Sequence, residues 1–252
     1  KKVGSCYAVS TNSATSALHI ACLALGIQKG DILWTSPITF VASANCGLYC
    51  GAKIDFVDID PKTGLISIKK LKEKLIIAEK NNSLPKIIIP VHLAGSSCDM
   101  QEISKLAKQY NFKVIEDASH AIGGKYNNKY VGNCEYSSIC IFSFHPVKII
   151  TTGEGGLATT NDLNLSNIMK ELSSHGIVKD QSKFSFEPNG IWSYEQQKLG
   201  YNFRITEIQA ALGISQLKRL DDFVKRRNSL FRVYSNLLKH EPIRMLDIPK
   251  NT

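Results

Sequence analysis

Three groups of residues in this 252-residue chain have the types and spacing needed for chemistry. Asp117 closes the apolar run 112–117 and is followed by Ala118-Ser119-His120-Ala121 and Gly123-Gly124. In an open α/β sheet, ligands sit at the carboxyl ends of strands. A carboxylate held there needs a cationic partner, and the protonated ring nitrogen of a pyridoxal cofactor is one such partner. An acid at a strand end serves equally well as a helix cap or turn residue. Lys148 follows Phe142-Ser143-Phe144-His145-Pro146-Val147 and precedes the glycine-rich Thr151-Thr152-Gly153-Glu154-Gly155-Gly156. Apolar neighbours destabilise an ammonium and so favour an amine nucleophile that forms imines near neutral pH. A surface lysine before a turn is the competing reading. Ser13-Ala14-Thr15-Ser16 puts hydroxyl residues at the start of an expected helix. Free N–H groups and the helix dipole bind phosphate at such a start, although Ser and Thr also cap helices with no ligand present. The order of the three features along the chain carries more information than any one of them.

These residues need a scaffold that brings strand ends and a helix start together. Short β-rich runs alternate with amphipathic segments of helix length, the signature of an α/β protein with a largely parallel sheet flanked by helices. The expected strands are 31–34, 54–58, 87–91, 112–117, 138–143 and 156–160. Helices are expected at 14–25, stopped by Gly26, at 68–80, and at 100–110, opened by the Asp99/Glu102 pair and closed by Asn111. A long helix begins at Thr206-Glu207-Ile208-Gln209, a capping-box pattern, and its apolar spacing runs past Phe223 toward Leu238 before Pro242. Residues 1–222 are expected to form the main domain, with 223–252 the end of the long helix and the start of a second domain.

Composition narrows the classes further. At 43% hydrophobic and 21% charged, the chain can bury a substantial core. It has neither an apolar stretch of about 18 residues nor a signal-peptide pattern at its start, so no membrane association and a cytoplasmic location are expected. The net charge of +9 is spread along helix faces such as 69–74 and is not gathered into one aromatic-interleaved block. That disfavours nucleic acid and favours a small anionic substrate such as a nucleotide diphosphate. Seven cysteines, at 6, 22, 46, 50, 98, 134 and 140, lack paired metal-ligand spacing and are expected to be reduced thiols, with no metal site. Gly153-Glu154-Gly155-Gly156 lacks the spacing of a dinucleotide fingerprint, which argues against a nicotinamide-binding domain.

Longer motifs carry a resemblance. Asn12-Ser13-Ala14-Thr15-Ser16-Ala17-Leu18, Pro37-Ile38-Thr39-Phe40, Ile115-Glu116-Asp117-Ala118-Ser119-His120-Ala121-Ile122-Gly123, Phe142 through Lys148 with its glycine-rich tail, and Gly200-Tyr201-Asn202-Phe203-Arg204 occur in this order. Together they resemble the DegT/StrS family of sugar-nucleotide aminotransferases. Ser173-Ser174-His175-Gly176-Ile177-Val178-Lys179 adds a likeness to the branch that serves pseudaminic acid biosynthesis. The resemblance implies the pyridoxal-phosphate-dependent transferase fold of aspartate aminotransferase type I. It also implies a homodimer with shared active sites, in which glutamate, leaving as 2-oxoglutarate, aminates C4 of a UDP-linked 4-keto-6-deoxy-N-acetylhexosamine.

By the same resemblance, Lys148 would carry pyridoxal 5'-phosphate as a Schiff base and shuttle protons. Asp117 would hold the ring nitrogen protonated, His120 would support the cofactor, and Phe40 would stack on its ring. Thr15, Ser16 and Ser143 would hold the phosphate, with Asn202 reaching it from the neighbouring subunit. Arg204 would contact the substrate diphosphate, and His92, His145 and His175 would line the sugar pocket. The family's N-terminal arm and C-terminal domain are largely missing from this sequence, so a partial chain is expected. Other 4-keto nucleotide sugars, of the perosamine or bacillosamine type, remain open as substrates, as does a non-catalytic regulator on the same fold. A sugar dehydratase of this fold is disfavoured by Lys148, because in those relatives the position resembles a histidine.

Overall fold

The computed structural model describes residues 1–252. The chain runs β1 (Tyr7–Thr11), α1 (Ala14–Ala24), β2 (Ile32–Thr35), α2 (Ala42–Tyr49), β3 (Lys53–Phe56), α3 (Ile68–Lys80), β4 (Ile87–Ile89), α4 (Met100–Tyr110) and β5 (Lys113–Asp117). A small hairpin of β6 (Lys125–Tyr126) and β7 (Lys129–Tyr130) precedes β8 (Ile139–Ser143), β9 (Gly156–Thr160) and α5 (Leu163–Ser173). The short pair β10 (Ile177–Val178) and β11 (Glu195–Gln196) is followed by α6 (Glu207–Leu217) and α7 (Leu220–Leu237).

Seven strands form one sheet in the order β1-β9-β8-β5-β4-β2-β3, with β9 alone running against the rest. Successive side chains on a strand point to opposite faces, and a sheet covered on both sides must be apolar on both. The clusters show this. Ile87 and Ile89 of β4 pack with residues of α1 and α2, while Ile88 packs with residues of α3 and α4. Leu33 and Trp34 of β2 divide in the same way, as do Ile115 and Val114 of β5. The result is a three-layer α/β/α arrangement of the expected class. No helix is long and apolar enough to cross a membrane.

Helix ends follow local chemistry. Asp99 accepts the Glu102 N–H to open α4, and Asn111 closes that helix in the left-handed conformation, φ 56°. The capping box of Thr206 and Gln209 opens α6 as read from the sequence. The expected single long helix is instead two. Leu220 at the start of α7 is fully buried in the cluster that holds Ala121 and Ile122, and Leu217 at the end of α6 packs against that same cluster from the other side of the break. The backbone breaks between them at Lys218 and Arg219, and α7 ends at Leu237. Residue 222 lies in the first turn of α7. Beyond α7 the tail returns to the main body: the Asp247 N–H donates to the Lys62 carbonyl at 2.8 Å, and the Asn127 N–H donates to the Asn251 carbonyl at 2.9 Å.

Candidate active site

The alternation that builds the core also aims the polar residues. Ile115 faces α1 and α2, so Asp117, two residues on, faces the same side; Ile139 and Ile141 place Ser143 there too. Both residues end their strands at the carboxyl edge of the sheet. Asp117 is 4% exposed. Its Oδ2 accepts the Ser43 hydroxyl at 2.6 Å and its Oδ1 accepts the Ser119 N–H at 3.1 Å. Both partners are neutral, so the buried carboxyl group is oriented by donors and forms no ion pair.

Lys148 sits in the turn after β8, where its N–H donates to the His145 carbonyl at 3.0 Å and its own carbonyl accepts from Arg227 of α7 at 3.4 Å. Partial burial lowers the Lys148 amine below an ordinary lysine, and the Asp117 carboxylate partly opposes this. His120 is also lowered, first by burial and then by the Lys148 ammonium, with Asp117 again opposing. The influence of Asp117 on Lys148, and of both on His120, puts the three groups in one neighbourhood. The Ala94 N–H points at His120 Nδ1 at 3.3 Å, which requires a lone pair there and leaves the proton of the neutral ring on Nε2. The cluster therefore offers an amine, a carboxylate and an imidazole N–H.

The start of α1 is built from its own hydroxyls. Ser13 caps the helix by accepting the Ser16 N–H at 3.1 Å. The Ser16 hydroxyl donates to Asn12 Oδ1 at 2.6 Å, so across the 3.0 Å contact it accepts from Ser13. Ser16, expected to bind phosphate, is buried and its hydroxyl proton is already committed; it organises the helix start, and Thr15, half-buried, is the hydroxyl left open. Ser143 pairs with Gly156 across β8 and β9, and a Cβ on Gly156 would overlap the Ser13 carbonyl and the Ala14 nitrogen. Ser143 and the helix start are thereby held side by side.

Phe40, 70% exposed, projects from the loop between β2 and α2. Residues 201–204 run beside the helix start: the Asn12 N–H donates to the Phe203 carbonyl at 2.8 Å, and Asn12 Nδ2 donates to the Asn202 carbonyl at 3.4 Å. Arg204 donates to Ser174 Oγ at 3.3 Å, and the His175 N–H donates to the Tyr201 carbonyl at 2.9 Å. His175, with φ 61°, and His145 are both exposed. His145 Nδ1 accepts the Val147 N–H at 3.3 Å, and its Nε2 lies 3.7 Å from Glu154.

His92 departs from expectation. It is 0% exposed, and both its nitrogens are engaged, Nδ1 by the Cys98 N–H at 3.1 Å and Nε2 by Glu116 at 2.8 Å. Burial disfavours the imidazolium and the Glu116 carboxylate favours it; the N–H aimed at Nδ1 decides for a neutral ring donating from Nε2. Ser137 donates to the other Glu116 oxygen. His92 therefore braces the sheet behind Asp117 and does not line a pocket. The sequence reading missed Ser43, whose run Ala42-Ser43-Ala44-Asn45-Cys46-Gly47 shows no periodicity and no motif. A surface hollow of about 770 Å³ lies at the opposite edge of the sheet, lined by Gly26, Lys113, Ser138 and Asp162 among others, away from Asp117, Lys148 and His120.

Residues 1–252 match the model of the DegT/DnrJ/EryC1/StrS aminotransferase family from end to end. The chain belongs to that family. It is 45% identical over 232 residues to the UDP-4-amino-4,6-dideoxy-N-acetyl-beta-L-altrosamine transaminase of Campylobacter jejuni serotype O:23/36 (strain 81-176), covering 92% of this chain and 57% of that protein. It superposes on the Helicobacter pylori aminotransferase PseC, involved in pseudaminic acid biosynthesis, with TM-score 0.84 and 37% identity, covering 95% of this chain and 60% of the other. The PMP form of the sugar aminotransferase Spr1654 from Streptococcus pneumoniae gives TM-score 0.81 and 27% identity, over 95% and 63% of the two chains. The chain thus spans about 60% of the length of the relatives it matches. The fold expected from the motifs is the fold of these aminotransferases.

Proposed function

We propose that the protein is a pyridoxal-phosphate-dependent aminotransferase that moves an amino group from glutamate to C4 of a UDP-linked 4-keto-6-deoxy-N-acetylhexosamine. The observation that carries this reading is the buried Asp117, fixed by two neutral donors and in no ion pair, near enough to the half-buried Lys148 amine to influence it. The donor set fits pyridoxal phosphate: Asp117 suits a protonated ring nitrogen, Phe40 is free to cover a ring face, and Thr15, Ser143 and the α1 N-terminus suit a phosphate. The names of the Campylobacter transaminase and the Helicobacter aminotransferase support the substrate class, and the PMP form of the Streptococcus structure supports the cofactor.

When bound, pyridoxal phosphate supplies a carbonyl that takes up an amino group and a protonated ring that accepts the electron pair left when a carbon loses its proton. Asp117 holds the ring proton in place. Lys148 Nζ, lowered by burial, carries a free electron pair more often than a surface lysine. It takes the proton from the amino-bearing carbon of glutamate and, in the second half of the cycle, delivers one to C4 of the sugar. His120 keeps its Nε2–H as a donor. Arg204 meets the diphosphate, with His145 and His175 toward the sugar. The net charge of +9 draws the anionic nucleotide in. Ile191, Trp192, Leu199 and Ile208 are 75–96% exposed and flank the segment that bears Asn202. Such a surface fits a homodimer in which Asn202 serves the neighbouring site.

The reading is tested by incubating the protein with pyridoxal phosphate, 15N-glutamate and the UDP-linked 4-keto sugar. The expected product is a 15N-labelled 4-amino sugar nucleotide detected by mass spectrometry. Turnover of a GDP-linked 4-keto sugar with none of the UDP-linked one would overturn the substrate assignment.

A further inference from the structure

Ser43 lies one residue inside α2 and is 0% exposed. A helical serine commonly returns its proton to a backbone carbonyl one turn back. This one donates to Asp117 Oδ2 at 2.6 Å, and because a hydroxyl has a single proton, none remains for its other neighbour, Thr39 Oγ1 at 2.8 Å. Thr39 must therefore donate to Ser43. The result is a directed chain, Thr39 to Ser43 to Asp117, that begins beside Phe40 and ends on the buried carboxylate. The Ser119 N–H fixes the other carboxylate oxygen from the opposite side.

We propose that Ser43, fed by Thr39, is a positioning residue that holds the Asp117 carboxyl group in a fixed plane, so that a proton shared with a cofactor ring nitrogen stays on the ring. This rests on the aminotransferase reading above. Donors to a carboxylate favour its charged form, and losing one lets the acid compete for the ring proton. The chain also ties the loop that presents Phe40 to Asp117.

The test compares the wild-type protein with Ser43→Ala, Ser43→Thr and Thr39→Val. Each is loaded with pyridoxal phosphate labelled with 15N in the ring, and the ring 15N shift and the cofactor dissociation constant are read. In the wild type the ring nitrogen is expected to be protonated. Ser43→Ala is expected to move the shift toward the unprotonated value and weaken binding by about tenfold. Ser43→Thr is expected to restore both, and Thr39→Val to shift both in the same direction by less. A Ser43→Ala protein with wild-type shift and affinity would overturn the proposal while leaving the aminotransferase reading intact. A wild-type protein that loads no cofactor would overturn both. If Ser43→Ala does not fold, Thr39→Val decides by the same two readouts, since its side chain is only half-buried.

Discussion

Asp117 bears on Lys148, and both bear on His120, so changing Asp117 should be felt at Lys148 and changing Lys148 at His120. Burial lowers the Lys148 amine and the Asp117 carboxylate raises it. Asp117→Asn removes only the raising influence, so the Lys148 midpoint should fall. The pH dependence of reductive methylation at Lys148, followed by peptide mass spectrometry, checks this; an upward shift would contradict it. The converse holds at His120, where the Lys148 ammonium lowers the ring. Lys148→Ala should raise the His120 midpoint in imidazole NMR titrations. At this scale the positions of Lys148 and Asp117 were legible, before a glycine turn and at a strand end, because both stand at punctuation. His92 was misread because a histidine in a motif looks the same whether it meets a ligand or a buried glutamate. Only the packing of β4 against β5, which sets Glu116 beside it, distinguishes the two. Ser43 carries no sequence signal, since its partner is 74 residues away.

At the scale of elements, the site depends on the seating of the α1 start against β9. Ser13→Ala removes the cap and should cost about 1 kcal/mol of stability. Gly156→Ala drives a methyl into the Ser13–Ala14 backbone, which cannot yield as a side-chain tip can, and should cost about 3 kcal/mol. Urea unfolding midpoints measure both, and a Gly156→Ala protein as stable as wild type would show that the close approach is not needed. Central strands were readable because burial on both faces makes them continuous apolar runs, as in Ile87-Ile88-Ile89. Helix α2 was not, because Ala-Ser-Ala-Asn-Cys-Gly-Leu-Tyr has no amphipathic stripe and is held by packing against α1. The break between α6 and α7 escaped because apolar spacing continues across it, with Leu217 and Leu220 on either side packed on one cluster.

For the whole molecule, His19 links folding to pH. It is 6% exposed on α1, packed among Tyr49, Tyr201 and Phe203, and its Nε2 has no hydrogen-bond partner. Burial lowers its pKa from 6.5. The unfolded chain therefore binds the proton more readily, so the stability from this group is present above pH 6.5 and is lost as pH falls below it. His19→Leu should flatten the pH dependence of unfolding on the acid side of that value. An unchanged slope in urea titrations at several pH values would contradict it. The aromatic surroundings of His19 join α1, α2 and the 201–203 segment, the same segment that runs beside the phosphate-type helix start, so loss of this packing should also loosen the site.

The central claim is that Lys148 is the residue that binds the cofactor covalently. The most direct measurement is borohydride reduction of the protein in the presence of pyridoxal phosphate, followed by peptide mass spectrometry. One phosphopyridoxyl adduct is expected, on the peptide containing Lys148, absent from Lys148→Ala and abolished when glutamate is added before the borohydride. A folded protein that takes up no label, or carries it on another lysine, would contradict the account.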